Sequence, residues 1–328
     1  MMFRALRIHE TPEGFTRTIE NMSIDDLPQG DLLIQVHYSS LNYKDALSSI
    51  GNRGVTKNYP HTPGIDASGI VLESKSPLFQ EGDAVVITGY DFGMNTHGGF
   101  SEMISVPAGW VQKLPSGLSL KEAMMLGTAG FTAAMSIAEI LPYLKQGGGD
   151  VLVTGASGGV GSLAVKILTH MGYKVSAPLR REASKPFLES IGVKGFIPWE
   201  DIEGSKKRAL LSAKFDASID TTGGDNLAFA LKSTAYGGAV TLCGNAASAE
   251  IDVTVYPFIL RGLRLIGIDS VMVDSEPRKD LWEKLATVWK SPLLEEGIKE
   301  LTLEELPEAM DKMLKGQHLG RVLVKLRD

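Results

Sequence analysis

Residues 151–161 read Val-Leu-Val-Thr-Gly-Ala-Ser-Gly-Gly-Val-Gly, a short apolar run that meets a glycine-rich turn. The residues that follow, Ser162–His170, carry apolar side chains at the spacing of one helix face. Backbone N–H groups in such a turn and the dipole of the helix N-terminus together favour a bound pyrophosphate. The stretch therefore predicts a dinucleotide-binding turn, with a tight strand-to-helix connection as the alternative. Its candidate cofactor-binding residues are Gly155, Ser157, Gly158, Gly159, Val160 and Gly161.

The composition narrows the class of protein. A chain of 328 residues is longer than one hydrophobic core usually holds, so two domains are expected. The formal net charge of −6 argues against a nucleic-acid-binding face, which needs a basic surface. No apolar run approaches the ~20 residues of a membrane span, so we expect no membrane partner. The single cysteine, Cys243, excludes an internal disulfide and fits a reducing compartment, which predicts a cytoplasmic protein.

The order of the predicted elements indicates a mixed α/β fold. Met1 to about Lys121 is rich in strand patterns, and two helices follow, the second beginning near Ala129. From Val151 onward short strands alternate with helices, which predicts a doubly wound parallel sheet. The tail resembles the first region again, so we expect a nucleotide-binding domain inserted in a split β-rich domain. The predicted boundaries are 1–122, 123–265 and 266–328.

The end of the second strand of this sheet bears on the choice of cofactor. An acidic residue there would bind the ribose hydroxyls of NAD, whereas arginine accommodates the 2′-phosphate of NADP. Residues 173–179 end in Arg180-Arg181 without an acidic residue, which favours NADPH. The alternative is a solvated arginine pair at a helix start.

Several motifs together point to one family. They are Ser39–Asp45 (SSLNYKD), Pro63–Asp66 (PGID), Gly127–Thr132 (GTAGFT), Val153–Gly161 (VTGASGGVG), Pro257–Arg261 (PFILR) and Gly267–Val271 (GIDSV). With them the chain resembles the medium-chain dehydrogenase/reductase superfamily, and most closely its zinc-free, quinone oxidoreductase-like branch of YhdH/YhfP type, which includes acrylyl-CoA reductases. The resemblance implies a GroES-like catalytic domain, a Rossmann domain and NADPH-dependent reduction of an activated double bond.

The same comparison predicts that the chain has no metal site. Zinc-bearing relatives place Cys-His where this chain has Asn42-Tyr43, and a second His where it has Ile65. Catalytic zinc needs about three protein ligands, and these substitutions remove them. A four-cysteine structural site is excluded by the single cysteine.

Without a metal, hydrogen bonds must stabilise the enolate that hydride addition creates. Asn42 and Tyr43 are both donors in the segment that replaces the zinc ligands. Relatives imply that Tyr43 contacts the cofactor, and we assign it acid catalysis as a further candidate role. Asn42 is assigned to the substrate or, alternatively, to a helix N-cap. Asp66 is a third catalytic candidate, and its alternative is a carboxylate that stabilises a turn.

Further cofactor contacts follow from family positions and from the predicted sheet. Thr128 matches a residue that lines the nicotinamide pocket of relatives, with a helix cap as the alternative. Cys243 and Gly244 follow a strand at its C-terminal end, where ligands bind in such sheets. Ser270 and Arg321 match family positions near the cofactor. One departure is that Leu179-Arg180 stands where relatives often carry a hydroxyl residue and glycine, although the cation at Arg181 is kept.

The combined expectation is an NADPH-dependent reductase of a short enoyl thioester, best acrylyl-CoA. The alternatives are a quinone or general enone reductase and a non-catalytic NADPH-binding protein. Residues Leu263–Ile268 follow the last crossover of the predicted sheet and should form an apolar edge strand. Because relatives dimerise through this region, we expect a homodimer.

Overall fold

The computed structural model describes residues 1–145 and 148–327, which form two compact units. The first unit comprises Met1–Thr128, Val271–Ala286 and Ile298–Asp328, and the second comprises Ala129–Ser270 and Thr287–Gly297. The predicted α/β class is confirmed. The domain boundaries derived from the sequence, and the assignment of a role to each unit, stay predictions.

The strands, in chain order, are β1 (Met2–Thr11), β2 (Gly14–Ser23), β3 (Leu32–Leu41), β4 (Asp66–Ser74), β5 (Ala84–Thr88), β6 (Met103–Val106), β7 (Val111–Lys113), β8 (Asp150–Val153), β9 (Lys174–Leu179), β10 (Gly195–Pro198), β11 (Phe215–Asp220), β12 (Thr234–Leu242), β13 (Arg264–Gly267), β14 (Ile298–Leu301) and β15 (Arg321–Lys325). The α-helices are α1 (Tyr43–Ser48), α2 (Leu120–Ile140), α3 (Gly159–His170), α4 (Lys185–Ser190), α5 (Trp199–Gly204), α6 (Gly224–Ser233), α7 (Tyr256–Arg261), α8 (Ser275–Ala286) and α9 (Leu306–Leu314).

The second unit is built on a six-stranded parallel sheet with the order β10-β9-β8-β11-β12-β13. Counted from β8 this is the 3-2-1-4-5-6 order of doubly wound dinucleotide-binding sheets. The strand β8 lies in the centre, and Val151, Leu152 and Val153 are fully buried. A central parallel strand is covered on both faces, which explains its continuous apolar run. The order places the end of β8 beside the point where the strand order reverses.

The first unit is built on a seven-stranded sheet with the path β14-β15-β3-β4-β5-β7, with β6 paired to β3. The C-terminal strand β15 pairs antiparallel with β3, so the two ends of the unit's sequence share one sheet. In β3, alternate residues such as Leu32, Ile34 and Val36 are fully buried, as expected for a strand with one face on the core. A separate hairpin, β1–β2, accompanies this sheet.

The prediction of two helices around residue 128 is confirmed, because α2 consists of two helices joined at Gly127, whose backbone is not helical (φ 53°, ψ −155°). Two boundaries differ from the sequence prediction. The helix after the glycine turn begins at Gly159 instead of Ser162, and the predicted strand Leu263–Ile268 is shorter, Arg264–Gly267. Its position at the edge of the sheet is confirmed.

One expectation about apolar segments was wrong. Residues 120–143 are long and apolar enough to cross a membrane by length and composition, although no such run was expected. Most of this segment is buried inside the protein, as the core helix of a globular protein would be. Its apolar character is therefore explained by packing.

Candidate active site

The first turn of α1 is held by the carboxylate of Asp45. Its Oδ2 accepts a hydrogen bond from the backbone N–H of Asn42 at 2.8 Å, the three-residue spacing of a capping box. Its Oδ1 accepts from the N–H groups of Gly64 and Ile65 at 3.1 and 2.9 Å. One buried carboxylate therefore ties the start of the helix, where Tyr43 is the first residue, to the turn before β4.

The pKa of Asp45 is raised to about 7, mainly by burial and in addition by the nearby Asp66 carboxyl. Its three backbone hydrogen bonds oppose this shift because they favour the ionised form. The charge of Asp45 therefore changes near neutral pH.

Asp66 is the centre of a second, larger network. It is fully buried at the first residue of β4, so the expectation of a turn position was wrong. Its Oδ2 accepts from Ser40 Oγ at 2.6 Å and from Asn42 Nδ2 at 2.8 Å. Its Oδ1 accepts from the backbone N–H and the hydroxyl of Thr128 at 2.9 and 2.6 Å. Four donors thus compensate the burial of one carboxylate.

Arg321, the first residue of β15, completes this network and is only 3% exposed. Its Nη2 lies 3.7 Å from Asp66 Oδ2. Its guanidinium donates to the carbonyl oxygens of Met125 and Leu41, to Asn42 Oδ1 and to Ser40 Oγ, at 2.7–3.3 Å. Burial lowers the pKa of Arg321, while the carboxyls of Asp66 and Asp45 act in the opposite direction. Its predicted contact with a cofactor stays a prediction.

Gly127 lies against this network and was not singled out from the sequence. Its backbone has φ +53°, and a Cβ at this position would lie 2.3 Å from Asp66 Oδ2, 2.6 Å from Ser40 Oγ and 2.9 Å from Arg321 Nη2. Only glycine fits both the conformation and the space. The available signal was a glycine inside a helical pattern, which often marks a break or a close contact.

The structure separates the two donors proposed for catalysis. The side-chain amide of Asn42 is engaged, donating to Asp66 Oδ2 and to the backbone oxygen of Ser40 at 3.2 Å. Asn42 is also the N-cap residue of α1. Tyr43, in contrast, is 47% exposed. Of the two, Tyr43 is the more accessible to a substrate, and the roles of both stay predictions.

In the second unit, the glycine turn lies between the end of β8 and the start of α3. Gly155 has φ +60°, and the N–H of Gly158 donates to its carbonyl oxygen at 2.9 Å. A Cβ at Gly161 would lie 2.3 Å from this same oxygen, so the helix packs closely on the turn. The first helical hydrogen bond runs from Ser162 N–H to Gly158, which leaves the N–H groups of residues 159–161 at the helix N-terminus. This arrangement fits the pyrophosphate of a dinucleotide.

Beneath this turn lies a buried carboxylate, Asp220, at the end of β11. It accepts from the hydroxyl of Thr154 at 2.6 Å and from the N–H of Gly223 at 2.7 Å. The hydroxyl of Thr221 donates to the carbonyl oxygen of Thr154 at 3.0 Å. Burial raises the pKa of Asp220. An acidic residue at the C-terminal end of a predicted parallel strand was the signal for this residue.

The predicted cofactor residues Arg180, Arg181 and Ser270 lie outside the glycine turn. Arg180 is exposed, with its guanidinium 5.1 Å from the ring centre of Trp199, and Arg181 is the next residue after it. Ser270 is buried and accepts from the hydroxyl of Thr132 at 2.8 Å. Their contacts with a cofactor stay predictions.

Cys243 and Gly244 lie beside the Asp220 network. The N–H of Cys243 donates to the carbonyl oxygen of Asp220 at 3.1 Å, and a Cβ at Gly244 would lie 2.3 Å from the carbonyl oxygen of Thr221. The fold thus brings residues 243–244 next to the segment that supports the glycine turn. Burial raises the pKa of the Cys243 thiol to about 12, which disfavours a reactive thiolate.

Within residues 1–145 and 148–327, no group of three or more His, Cys, Asp or Glu side chains is arranged to hold a metal ion. Asn42 and Tyr43 occupy the positions where zinc ligands were expected in relatives, and Asn42 is hydrogen-bonded to Asp66. The predicted lack of a zinc site stays a prediction.

Comparison with known proteins identifies the family. The alcohol dehydrogenase GroES-like domain matches residues 28–116, and the zinc-binding dehydrogenase family matches residues 159–287. Acrylyl-CoA reductase AcuI of Ruegeria pomeroyi is 41% identical over 326 residues, which cover 98% of this chain and 99% of the relative. The chain belongs to the medium-chain dehydrogenase/reductase superfamily. The resemblance to its quinone oxidoreductase-like branch is confirmed.

Two solved structures share the whole fold of this dehydrogenase/reductase. YhfP of Bacillus subtilis, solved with NAD bound, has a TM-score of 0.96 and 40% identity, covering 99% of this chain and 100% of that one. The YhdH oxidoreductase of Salmonella enterica, solved in complex with NADP, has a TM-score of 0.95 and 37% identity, covering 100% of both chains. The expected GroES-like and Rossmann folds are therefore confirmed.

Proposed function

We propose that this dehydrogenase/reductase uses NADPH to reduce the activated C=C bond of a short enoyl thioester, with acrylyl-CoA, converted to propionyl-CoA, as the first candidate. The observation that carries the proposal is the 41% identity, over nearly the full length of both chains, to a relative named acrylyl-CoA reductase. The accessible Tyr43 beside the buried Asn42–Asp66 network supports it further.

The cofactor part of the proposal rests on the glycine turn and on the two arginines after β9. Backbone N–H groups of residues 159–161 at the start of α3 favour the pyrophosphate. Arg180 and Arg181 follow directly after β9, and two positive charges at this strand end favour the 2′-phosphate of NADP. Residues 179–181 include no acidic side chain that would bind the ribose of NAD. One solved relative was crystallised with NADP and another with NAD, so the relatives do not distinguish the two cofactors. The proposed preference for NADPH therefore rests on the positive charge of the two arginines.

The bound nicotinamide would supply the hydride to the β-carbon of the substrate. Negative charge then develops on the thioester oxygen, and a preorganised donor at that oxygen lowers the barrier. Tyr43 is the candidate donor because its side chain is exposed, whereas the Asn42 amide is committed to Asp66. The α-carbon must finally receive a proton, for which Tyr43 or water is the source.

A panel of acceptors tests this function. We expect acrylyl-CoA to give a higher kcat/KM with NADPH than crotonyl-CoA or a quinone. Tyr43→Phe should lower kcat by on the order of 10², a typical acid–base contribution. Tyr236→Phe, at a tyrosine that is 82% exposed, serves as the control and should leave kcat unchanged.

The other outcomes of the panel distinguish the alternatives. A quinone that outperforms acrylyl-CoA by a wide margin would favour a quinone reductase. Absence of NADPH consumption with every acceptor would favour a non-catalytic NADPH-binding protein. An unchanged kcat in Tyr43→Phe would remove Tyr43 from the reaction and leave water as the proton source.

We also propose a homodimer that forms through β13. This strand pairs with β12 on one side and ends the six-stranded sheet, so its other edge offers backbone groups to a second chain. The preceding helix α7 exposes two large apolar side chains, Ile259 and Leu260, at 67% and 58%. We place the protein in the cytoplasm, which the single cysteine supports.

A further inference from the structure

The buried pair of Asp66 and Arg321 calls for an explanation beyond stability. The two side chains are 0% and 3% exposed, with Arg321 Nη2 and Asp66 Oδ2 3.7 Å apart. Removing two charges from water is costly, and a well-packed apolar pair of the same volume is often equally stable. A buried ion pair of this kind is therefore weak evidence of a purely stabilising role.

The contacts of the pair converge on Asn42. Its Nδ2 donates to Asp66 Oδ2 at 2.8 Å, and its Oδ1 accepts from Arg321 Nη1 at 3.1 Å. The amide is thus held at both ends, which fixes its rotation. Because Asn42 is the N-cap of α1, the pair fixes the backbone from which Tyr43 projects.

The same pair holds the break in α2. Both the N–H and the hydroxyl of Thr128 donate to Asp66 Oδ1, and Arg321 Nε donates to the carbonyl oxygen of Met125 at 3.3 Å. Gly127 lies between these two contacts with a conformation that is nearly restricted to glycine. One ion pair therefore fixes two segments that are about 85 residues apart in the chain.

We propose that Asp66 and Arg321 are positioning residues, which act on the reaction through Asn42 and Thr128 instead of touching the substrate. The inference rests on the proposed function, in which Tyr43 is the candidate donor, and on the expectation from relatives that Thr128 lines the nicotinamide pocket. A displacement of reacting groups by about 1 Å can cost on the order of 10² in rate, so a rigid support for both segments has a catalytic effect.

The test compares single and double variants of the full-length protein. Asp66→Asn and Arg321→Met each leave a buried charge without its partner, so both should lower Tm. The double variant removes both charges and should recover a large part of that loss. If the pair positions the segments, kcat of the double variant stays about tenfold or more below wild type even where its Tm is recovered.

A second ion pair in the same unit serves as the control. It shows whether the loss of kcat is specific to Asp66 and Arg321 or follows from removing any ion pair. Arg4 Nε lies 2.9 Å from Glu102 Oε1, and the Arg4 side chain is 46% exposed. Arg4→Met with Glu102→Gln should leave kcat unchanged. If kcat of the Asp66→Asn/Arg321→Met variant returns together with its Tm, the pair is structural only and the proposal is overturned.

A second readout does not depend on turnover. Amide hydrogen exchange of residues 42–46 and 126–128 should be faster in the Asp66→Asn/Arg321→Met variant than in wild type, and unchanged in the control pair. Unchanged exchange at these residues would overturn the proposal even if activity fell. A wild type that reduces no enoyl thioester would refute the proposed function, while the exchange would still decide whether the pair holds the two segments.

Discussion

Replacing Gly127 by alanine tests the packing of the Asp66 network directly. The backbone at Gly127 has φ 53° and ψ −155°, and residues with a Cβ adopt such conformations at a cost of about 1–3 kcal/mol. The added methyl would also approach Asp66 Oδ2, Ser40 Oγ and Arg321 Nη2 to within 3 Å. Overpacking of this kind costs a further ~1–3 kcal/mol. We therefore expect Gly127→Ala to lower the free energy of unfolding by roughly 2–6 kcal/mol, a large part of the usual 5–15 kcal/mol.

Urea unfolding, followed as the shift of the transition midpoint, measures this loss. Gly82→Ala is the matched control, because Gly82 lies in the same compact unit and also has a positive φ, +88°. Its added Cβ would have no heavy atom within 4 Å, so only the backbone cost of about 1–2 kcal/mol applies. If both variants shift the midpoint equally, the atoms around Gly127 yield without cost and the argument for a tightly packed network is wrong.

Three further predictions concern the cofactor, the pH dependence and the assembly. Arg180→Ala with Arg181→Ala should raise KM for NADPH and leave KM for NADH nearly unchanged. An equal increase in KM for both cofactors would contradict a 2′-phosphate site. Because the folded-state pKa of Asp45 is raised from 3.8 to about 7, the folded protein keeps a proton that the unfolded chain releases. The free energy of unfolding should therefore fall as pH rises from about 4 to 7. Asp45→Asn should flatten the corresponding slope of Tm against pH. Parallel Tm profiles for wild type and Asp45→Asn would refute this role of Asp45. Native mass measurement should show a dimer that Ile266→Lys in β13 dissociates, and a monomeric wild type would contradict the proposed interface.

The elements that the sequence predicts best are those formed by residues close together in the chain. The glycine turn at 155–161 and the helix after it follow from a local pattern of small and apolar side chains. The N-cap at Asn42 has its partner, Asp45, only three residues away. The alternation of strands and helices after Val151 was enough to predict the parallel sheet, since sequential crossovers have one hand. Local patterns thus determined the fold class and the cofactor turn.

The break in α2 has a cause that local sequence patterns cannot predict. The sequence suggested two helices near residue 128, but the reason for the break lies in atoms of Asp66, Ser40 and Arg321, which no local window contains. Asp66 likewise was expected in a turn, although pairing with Thr88 of β5 makes it the first residue of a strand.

The sequence by itself determined the family, the order of the elements and the identity of the chemical groups available for catalysis. Only the tertiary structure decided which of these groups are buried together. The hydroxyl of Thr128 lies 62 residues from its acceptor Asp66, and Arg321 lies 281 residues from its acceptor Ser40. Burial then set the pKa of Asp45 near 7 and that of Cys243 near 12. The physical reason is that desolvation and hydrogen bonding depend on distance in space. Residues that are far apart in the sequence come close together only when the sheets pair and pack.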